Sequence, residues 1–342
     1  MSIKEVAKRA GVSIATVSRT INTPEKVHPE TVERVRHAIE RLGYRPNLTA
    51  RALKTGRTNL VGLIVPDLVH SFFAELARGV SGVLREENIS VVIASSEEDP
   101  ALEQQEIEHL LDRGVDALLV ASVQLEKDAF QHVAQRKIPL VLVDRLIPGL
   151  SANFVGVKDD AVGFIATEHL IQIGCRNIAH ICGTRTSTAL GRMAGYKQAL
   201  KEFDREVNPD LIVAVEKQDE SADVAGFRAA MKLLSMPNRP DGIFCFNDPV
   251  AIGAMNAILT RGLRIPQDVA LIGSANLHFD DALRVPLSTV DQCSEMMGQR
   301  SALLAINLIQ TKNSAPPRSV FLTPKVVVRE STRRTNVDAG SL

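Results

Sequence analysis

The sequence predicts a multidomain chain in which an all-α helix-turn-helix head precedes an α/β body of two Rossmann-like parallel-sheet lobes. Three observations predict it. The first 45 residues hold three short helical patterns, each with its own start and stop signals. From Asn59 onward, short apolar runs rich in Val, Ile and Leu alternate with longer helical stretches, the rhythm of βα units whose strands run parallel. The chain has 342 residues, more than one ordinary domain and suited to two or three compact units.

Ser2-Ile3-Lys4-Glu5 has the form of a capping box, in which a hydroxyl and a carboxylate satisfy amides exposed at a helix start. Gly11 stops that helix. Ser13 then caps a second one that runs from Ile14 through Ile21 towards Asn22. Ile3, Val6, Ala7, Val12, Val17 and Ile21 fall on facing stripes, which turns Ile14, Ala15, Ser18 and Arg19 outward. Pro29 in a first turn, Val32, Val35, Ile39 and Leu42 at helical spacing, and Gly43 as a stop mark the third helix. In such a trio the second helix enters a DNA major groove with its N-terminal residues towards the bases, while hydroxyls and helix N-termini hold phosphates. The expected contacts are Ser13, Ile14, Ala15, Thr16, Ser18, Arg19 and Asn22. An ordinary helical bundle is the plainer reading.

Charge distribution favours nucleic acid. The whole chain is neutral, with 40 Lys and Arg against 40 Asp and Glu. Residues 1–57 nevertheless carry twelve basic side chains against five acidic ones, and the remainder is acidic to the same extent. A basic arm on an acidic body is the electrostatic footprint of a nucleic-acid-binding module, with a solvated basic surface as the plainer alternative.

After the trio, Tyr44-Arg45-Pro46-Asn47 breaks the chain, and Asn47 can cap a short helix through Lys54, stopped by Gly56. Helices below about 12 residues are marginal alone in water, so this one is expected to form only when held. Ala50 and Leu53 are apolar where a minor-groove wedge would sit, with Arg51, Lys54 and Arg57 beside them for phosphates. A flexible basic linker is the plainer reading here.

IKEVAKRAGVSIATVSRTIN followed by VHPETVERVRHAIERLGYRPNLTARALKTGRTNLVGLIVP resembles the head and hinge of the lactose-repressor and galactose-repressor (LacI/GalR) family. The resemblance implies that hinge helices of two subunits lie together in the minor groove and open a central base step with paired leucines, here Leu53. It also places Ile14, Ala15 and Arg19 at base-reading positions, with Arg19 suited to a guanine O6/N7 pair and the other two to thymine methyls.

In the body, LVGLIVP, SVVIASS, ALLVAS and PLVLVDR alternate with helices, and the rhythm restarts with FVGV, NIAHICG, LIVAV, GIFCFND and VALIGSA. LSTVDQ, a helix and VFLTPKVVVRES then give too little for a third lobe but enough for the chain to cross back. Two sheets with a cleft at their carboxyl ends are expected, since open parallel sheets bind ligands there. The resemblance extends to RESTRR and implies a periplasmic-binding-protein-like body that binds a small effector and dimerises. The implied organisation is a head at 1–45, a hinge helix and linker at 46–58, an effector-binding and dimerisation body at 59–335, and a tail at 336–342. Chain crossings between lobes are expected near 157–160, 285–292 and 320–326.

At the matching strand ends stand Phe72, Phe73, Asp144, Arg145, Arg192, Asn247, Asp248, Ser274, Ala275 and Gln292. Arg192 suits hydroxyl, carboxylate or phosphate groups, against a surface salt bridge as the plainer reading. The sugar binders of the family usually carry an Asp where this chain has Ala275, and often an aromatic ring in the loop where it has Ser221-Ala-Asp-Val-Ala. Ser274, Asn276 and His278 are the residues placed to compensate. The effector class stays open among a sugar, a sugar derivative and another small metabolite.

Other classes fare worse. No nucleotide-binding glycine motif, Walker motif, H-E-x-x-H or G-x-S-x-G occurs, so neither a cofactor nor catalysis is implied. The histidines show no metal-ligand spacing, and His180 reads as a core residue. Asp159-Asp160 sits at a helix start, where capping explains it. Cys175, Cys182, Cys245 and Cys293 lack C-x-x-C spacing and read as free thiols. No apolar run matches a bilayer and no secretory signal begins the chain, so a cytoplasmic protein without membrane contact is expected. A free solute-binding protein would need export and no DNA-binding head, and neither condition is met; a regulator sensing a protein partner and a two-lobed cleft enzyme remain as alternatives. The expected partners are double-stranded operator DNA, a small effector, and further copies of the chain as a homodimer or tetramer.

Overall fold

The computed structural model describes residues 2–44, 56–183, 186–215 and 221–334. They fall into two compact units, Met1–Thr58 and Asn59–Leu342. In the first, α1 (Ile3–Ala10), α2 (Ile14–Asn22) and α3 (Pro29–Leu42) pack around Val6, Ala7, Ala10, Val17, Val35 and Ala38. The Glu5 amide donates to Ser2 Oγ at 3.4 Å and the Ser2 amide to Glu5 Oε2 at 2.7 Å, so the capping box closes in both directions. Ser13 Oγ accepts the Thr16 amide at 3.1 Å and starts α2. Gly11 and Gly43 end their helices at φ +64° and +56°, a region costly for residues with a Cβ. A turn of 3₁₀ helix, Pro24–Lys26, fills the α2–α3 connection and had no clear signal in the sequence.

The second unit holds two six-stranded sheets. The first is built from β1 (Leu60–Val65), β2 (Ser90–Ser95), β3 (Ala117–Val120), β4 (Leu140–Val143), β5 (Asn153–Val157) and a late strand, β11 (Ser319–Leu322), in the order β11-β5-β4-β3-β1-β2. The second uses β6 (Ile178–Cys182), β7 (Ile212–Ala214), β8 (Gly242–Cys245), β9 (Ala270–Ala275), β10 (Ser288–Asp291) and β12 (Lys325–Val327), in the order β12-β10-β9-β8-β6-β7. Both have the same winding, and all pairings are parallel except β10 with β12. The rhythm does not restart at the second sheet with FVGV. That strand is β5, which pairs with β4 through Val141–Asn153 and completes the first sheet. The chain passes between sheets after Val157, after Asp291 and after Leu322.

Connecting helices cover the sheets: α4 (Ser71–Glu86), α5 (Pro100–Asp112) and α6 (Gln131–Gln135) within the first lobe, and α7 (Asp159–Gln172), α8 (Ser187–Glu202), α9 (Ala222–Leu234) and α10 (Asp248–Thr260) in the second. The last helix, α11 (Ser294–Gln310), returns to pack on α4. Three helix pairs cross glycine against backbone. A Cβ on Gly195 of α8 would lie 1.9 Å from the Asp160 carbonyl oxygen of α7, and one on Gly163 would lie 2.0 Å from that of Arg192. Gly226 and Gly253 do the same for α9 and α10, and Gly79 and Gly298 for α4 and α11. The α7–α8 crossing is the one that seats Arg192.

Candidate effector cavity and DNA-facing helix

Strand carboxyl ends of both lobes line a cavity of about 280 Å³, the position at which doubly wound sheets bind ligands. On the first-lobe side, Phe72 and Phe73 stand edge to face at 5.2 Å, with the His70 ring against both. His70 Nδ1 accepts the Phe72 amide at 3.3 Å and thereby caps α4. Burial lowers its pKa to about 4, so the ring is neutral at pH 7. At the end of β4, Asp144 adopts φ +64°, a conformation that costs a non-glycine residue about 1–2 kcal/mol. Arg145 beside it grips Glu98 with both terminal nitrogens, at 3.2 and 2.8 Å. Burial raises the Asp144 carboxyl, against the pull of Arg192 and Arg145. Asp144 Oδ1 and Arg145 Nε are buried and have no hydrogen-bond partner among the described residues.

The second-lobe wall is knit together. Arg192, 4% exposed, donates from Nε to Asp159 at 3.1 Å, from one terminal nitrogen to the Phe246 carbonyl at 2.7 Å, and from the other to Gln292 Oε1 at 2.8 Å. Its guanidinium also lies 4.8 Å from the centre of the Phe246 ring. Gln292 Nε2 in turn donates to Ser274 Oγ at 2.9 Å. Asp159 is pushed up to about 7, first by burial, with Arg192 pulling the other way. Asn247 caps α10 through Oδ1, while its Nδ2 lies 3.3 Å from His70 Nε2 on the facing lobe.

Of the residues singled out from the sequence, Phe72, Phe73, Asp144, Arg145, Arg192, Asn247, Ser274, Ala275 and Gln292 line this cavity. Asp248 does not. Its carboxylate is fully buried behind the wall, where Oδ1 accepts the Thr289 hydroxyl at 2.7 Å and Oδ2 the Asn276 amide at 2.8 Å, so it staples strand ends together. Asn276 and His278 also lie outside the lining; Asn276 Oδ1 is taken by Arg329, and His278 is exposed. The missing sugar-type carboxylate at Ala275 is therefore not replaced by these two. Asp159 does more than cap a helix, since it pairs with Arg192. His180 is a buried ring stacked 4.5 Å from Phe244, held neutral by burial, which lowers its pKa to about 4. Sequence reasoning passed over His70, Glu98, Thr186, Thr188 and Phe246, all of which line the cavity. Only Phe246 had a usable signal, its place just past an apolar strand.

In the head, Ile14 is 44% exposed, Ala15 and Arg19 are exposed, and Ser18 is half-buried. Val17 and Thr20 are buried on the opposite side of α2. Ser13 and Thr16 hydroxyls lie 2.9 Å apart at the N-terminus of α2, and Asn22 Nδ2 donates to the Ser18 carbonyl at 2.7 Å. The hinge positions Asn47, Ala50, Leu53 and Lys54 lie outside the described residues.

Residues 2–47 match the family described as bacterial regulatory proteins, lacI family, and residues 58–330 match the periplasmic binding proteins and sugar binding domain of LacI family. The chain belongs to the LacI family. Among its LacI-family relatives, the transcriptional repressor PurR of Haemophilus influenzae (strain PittEE) is 32% identical over 97% of this chain and 98% of its own length. The transcriptional regulator DegA of Bacillus subtilis (strain 168) is 33% identical over 98% of this chain and 99% of its own. Similar solved structures include a complex of the transcriptional regulator CelR with cellobiose, 28% identical with a TM-score of 0.72. Another is the Lac repressor bound to ONPG in its repressed state, 25% identical with a TM-score of 0.85. Each of these structures covers 97% of this chain and 99% of its own. These relatives are transcriptional regulators rather than enzymes. This LacI-family chain is accordingly a DNA-binding transcriptional regulator with a ligand-binding type of body. No helix among the described residues is long and apolar enough to cross a membrane.

Proposed function

We propose that this regulator is a cytoplasmic repressor that binds a near-palindromic operator as a dimer, and that a small effector held between the lobes controls its DNA affinity. In this reading Ile14, Ala15 and Arg19 read bases, Ser13, Thr16, Ser18 and Asn22 hold the backbone, and Asn47, Ala50, Leu53 and Lys54 form a hinge in the minor groove. Effector binding reorients the lobes and changes the spacing of the two hinges, coupling cavity to DNA.

The observation that carries the effector half is the cavity of about 280 Å³ at the strand carboxyl ends, walled by the Phe72 and Phe73 rings on one side and by Arg192, Asn247 and Gln292 on the other. Charge narrows the class. Arg145 is matched by Glu98, and Arg192 spends its donors on Asp159, the Phe246 carbonyl and Gln292, so the walls favour an uncharged, hydrogen-bonding ring over a phosphate or carboxylate. The relatives named as a repressor and as a cellobiose complex support the same reading.

The test is a thermal-shift screen of nitrogen heterocycles, mono- and disaccharides and sugar phosphates, followed by operator titrations with an operator selected from random DNA. An uncharged ring compound is expected to raise the melting temperature and change operator affinity. A compound that stabilises the cavity without altering operator binding breaks the coupling, and stabilisation by sugar phosphates alone replaces the ligand class. Arg19→Ala is expected to relax base preference by about 1–3 kcal/mol at one position per half-site; the same selected motif from the variant would refute the base contact.

A further inference from the structure

The head carries a second charged surface that α2 does not use. Glu5, Lys8 and Arg9 lie three and four residues apart on one exposed stripe of α1, and Arg34, His37 and Arg41 form another along α3. Contact between α1 and α3 sets the stripes side by side, and they line a groove of about 620 Å³ floored by Ala10 and Ala38. Its one carboxylate, Glu5, is held at the start of α1 by the Ser2 amide. Among the described residues Lys8, Arg9, His37 and Arg41 make no side-chain hydrogen bond or ion pair, and Arg34 reaches only Thr31 Oγ1 at 3.5 Å. Elsewhere on the same helix Arg36 has a counter-charge, Glu33 at 3.4 Å.

Lys8, Arg9, Arg34 and Arg41 gathered in a concave site with one carboxylate repel one another and focus a positive potential that an anion relieves. Arg34 and Arg41 are seven residues apart, about 10 Å along the helix, which suits a run of phosphates better than one small ion. The placement excludes the half-site itself as the source. α2 packs on both α1 and α3, so the three helices form a triangular section. The α1–α3 seam then lies on the side away from the outer face of α2. We propose that this groove is a second DNA-backbone site, which holds phosphates of a duplex segment other than the half-site read by α2 and does so without sequence preference.

The experiment loads the full-length chain onto bead-bound operator duplex and measures capture of a fluorescent non-operator duplex. Wild type is expected to capture it, with affinity falling about 40-fold between roughly 50 and 200 mM salt if three phosphates are neutralised. The variant Lys8→Gln/Arg34→Gln/Arg41→Gln is expected to lose at least about tenfold in capture while selecting the same operator sequence, which also certifies its fold. Lys8→Arg/Arg34→Lys/Arg41→Lys keeps the charge and is expected to keep the capture. Equal capture by wild type and the glutamine variant overturns the proposal, as does absence of capture by wild type. Groove-dependent binding of inorganic tripolyphosphate without capture of duplex overturns the DNA assignment.

Discussion

The two walls of the cavity come from the same strand winding, yet they satisfy their polar groups in opposite ways. In the second lobe Arg192 ties Asp159, Phe246 and Gln292 together, and Gln292 extends the network to Ser274. In the first lobe Arg145 holds Glu98 with both terminal nitrogens and keeps Nε 4.0 Å from Asp144 Oδ2, and Asp144 stands in a strained conformation with Oδ1 making no hydrogen bond among the described residues. The contrast teaches that Arg192, for all its place in the lining, works first as a frame, whereas the first-lobe wall is tied chiefly through Arg145 and Glu98.

The sharpest way to break this comparison is Arg192→Ala. Removing one partner of a buried ion pair costs about 3–5 kcal/mol, so chemical denaturation is expected to show a loss of that size. A loss under about 1 kcal/mol would return Arg192 to a purely ligand-facing role. Next comes pH. The Asp159 carboxyl titrates at about 7 in the folded chain and near the ordinary aspartate value of 3.8 when unfolded, so the folded state binds the extra proton between these values. Its contribution is fully present below pH 4 and lost as pH rises to about 7, a slope of about 1.4 kcal/mol per pH unit. Wild type minus Asp159→Asn is expected to show that slope in stability against pH; parallel curves would mean that Asp159 is not perturbed. The smallest effect is Asp144→Asn. It keeps the shape of the wall, so stability should move by less than about 0.5 kcal/mol. Affinity for the compound giving the largest thermal shift should nevertheless fall about tenfold. A destabilised variant with unchanged affinity would invert the roles of the two walls.

What the sequence disclosed was local. Ser2 with Glu5, Ser13, Gly11 and Gly43 announce helix ends because caps are made within a few residues, and alternating apolar runs announce βα units for the same reason. Which sheet a strand joins is a long-range choice, so FVGV read as a new beginning when its partner was Leu140–Val143. The cavity shows the same limit. Strand ends pointed to Asp144, Arg145 and Arg192, but Asp248 lies at an equivalent strand end and faces inward, because Thr289 and the Asn276 amide capture it from another strand and loop. Glu98 follows a strand that gave no hint of an arginine waiting across the sheet.

The glycine crossings have a mechanical consequence. With backbone against backbone, a helix pair such as α7 and α8 has no side-chain layer in which to slide. The segments left to bend are the three passages after Val157, Asp291 and Leu322. They leave or reach β5 and β11 at one edge of the first sheet; on the other side two of them join β10 and β12 at one edge of the second, while the passage after Val157 runs into α7 and on to β6. A strap along one edge makes a lever of everything beyond it. With strands about 4.8 Å apart, Asp144 after β4 stands one spacing from β5 and Phe72 after β1 stands three. Each 10° of rotation then carries the Asp144 end by about 1 Å and the Phe72 end by about 2.5 Å. Gearing is thus set by strand order: Asp144 lies near the strap and the Phe72 ring far from it.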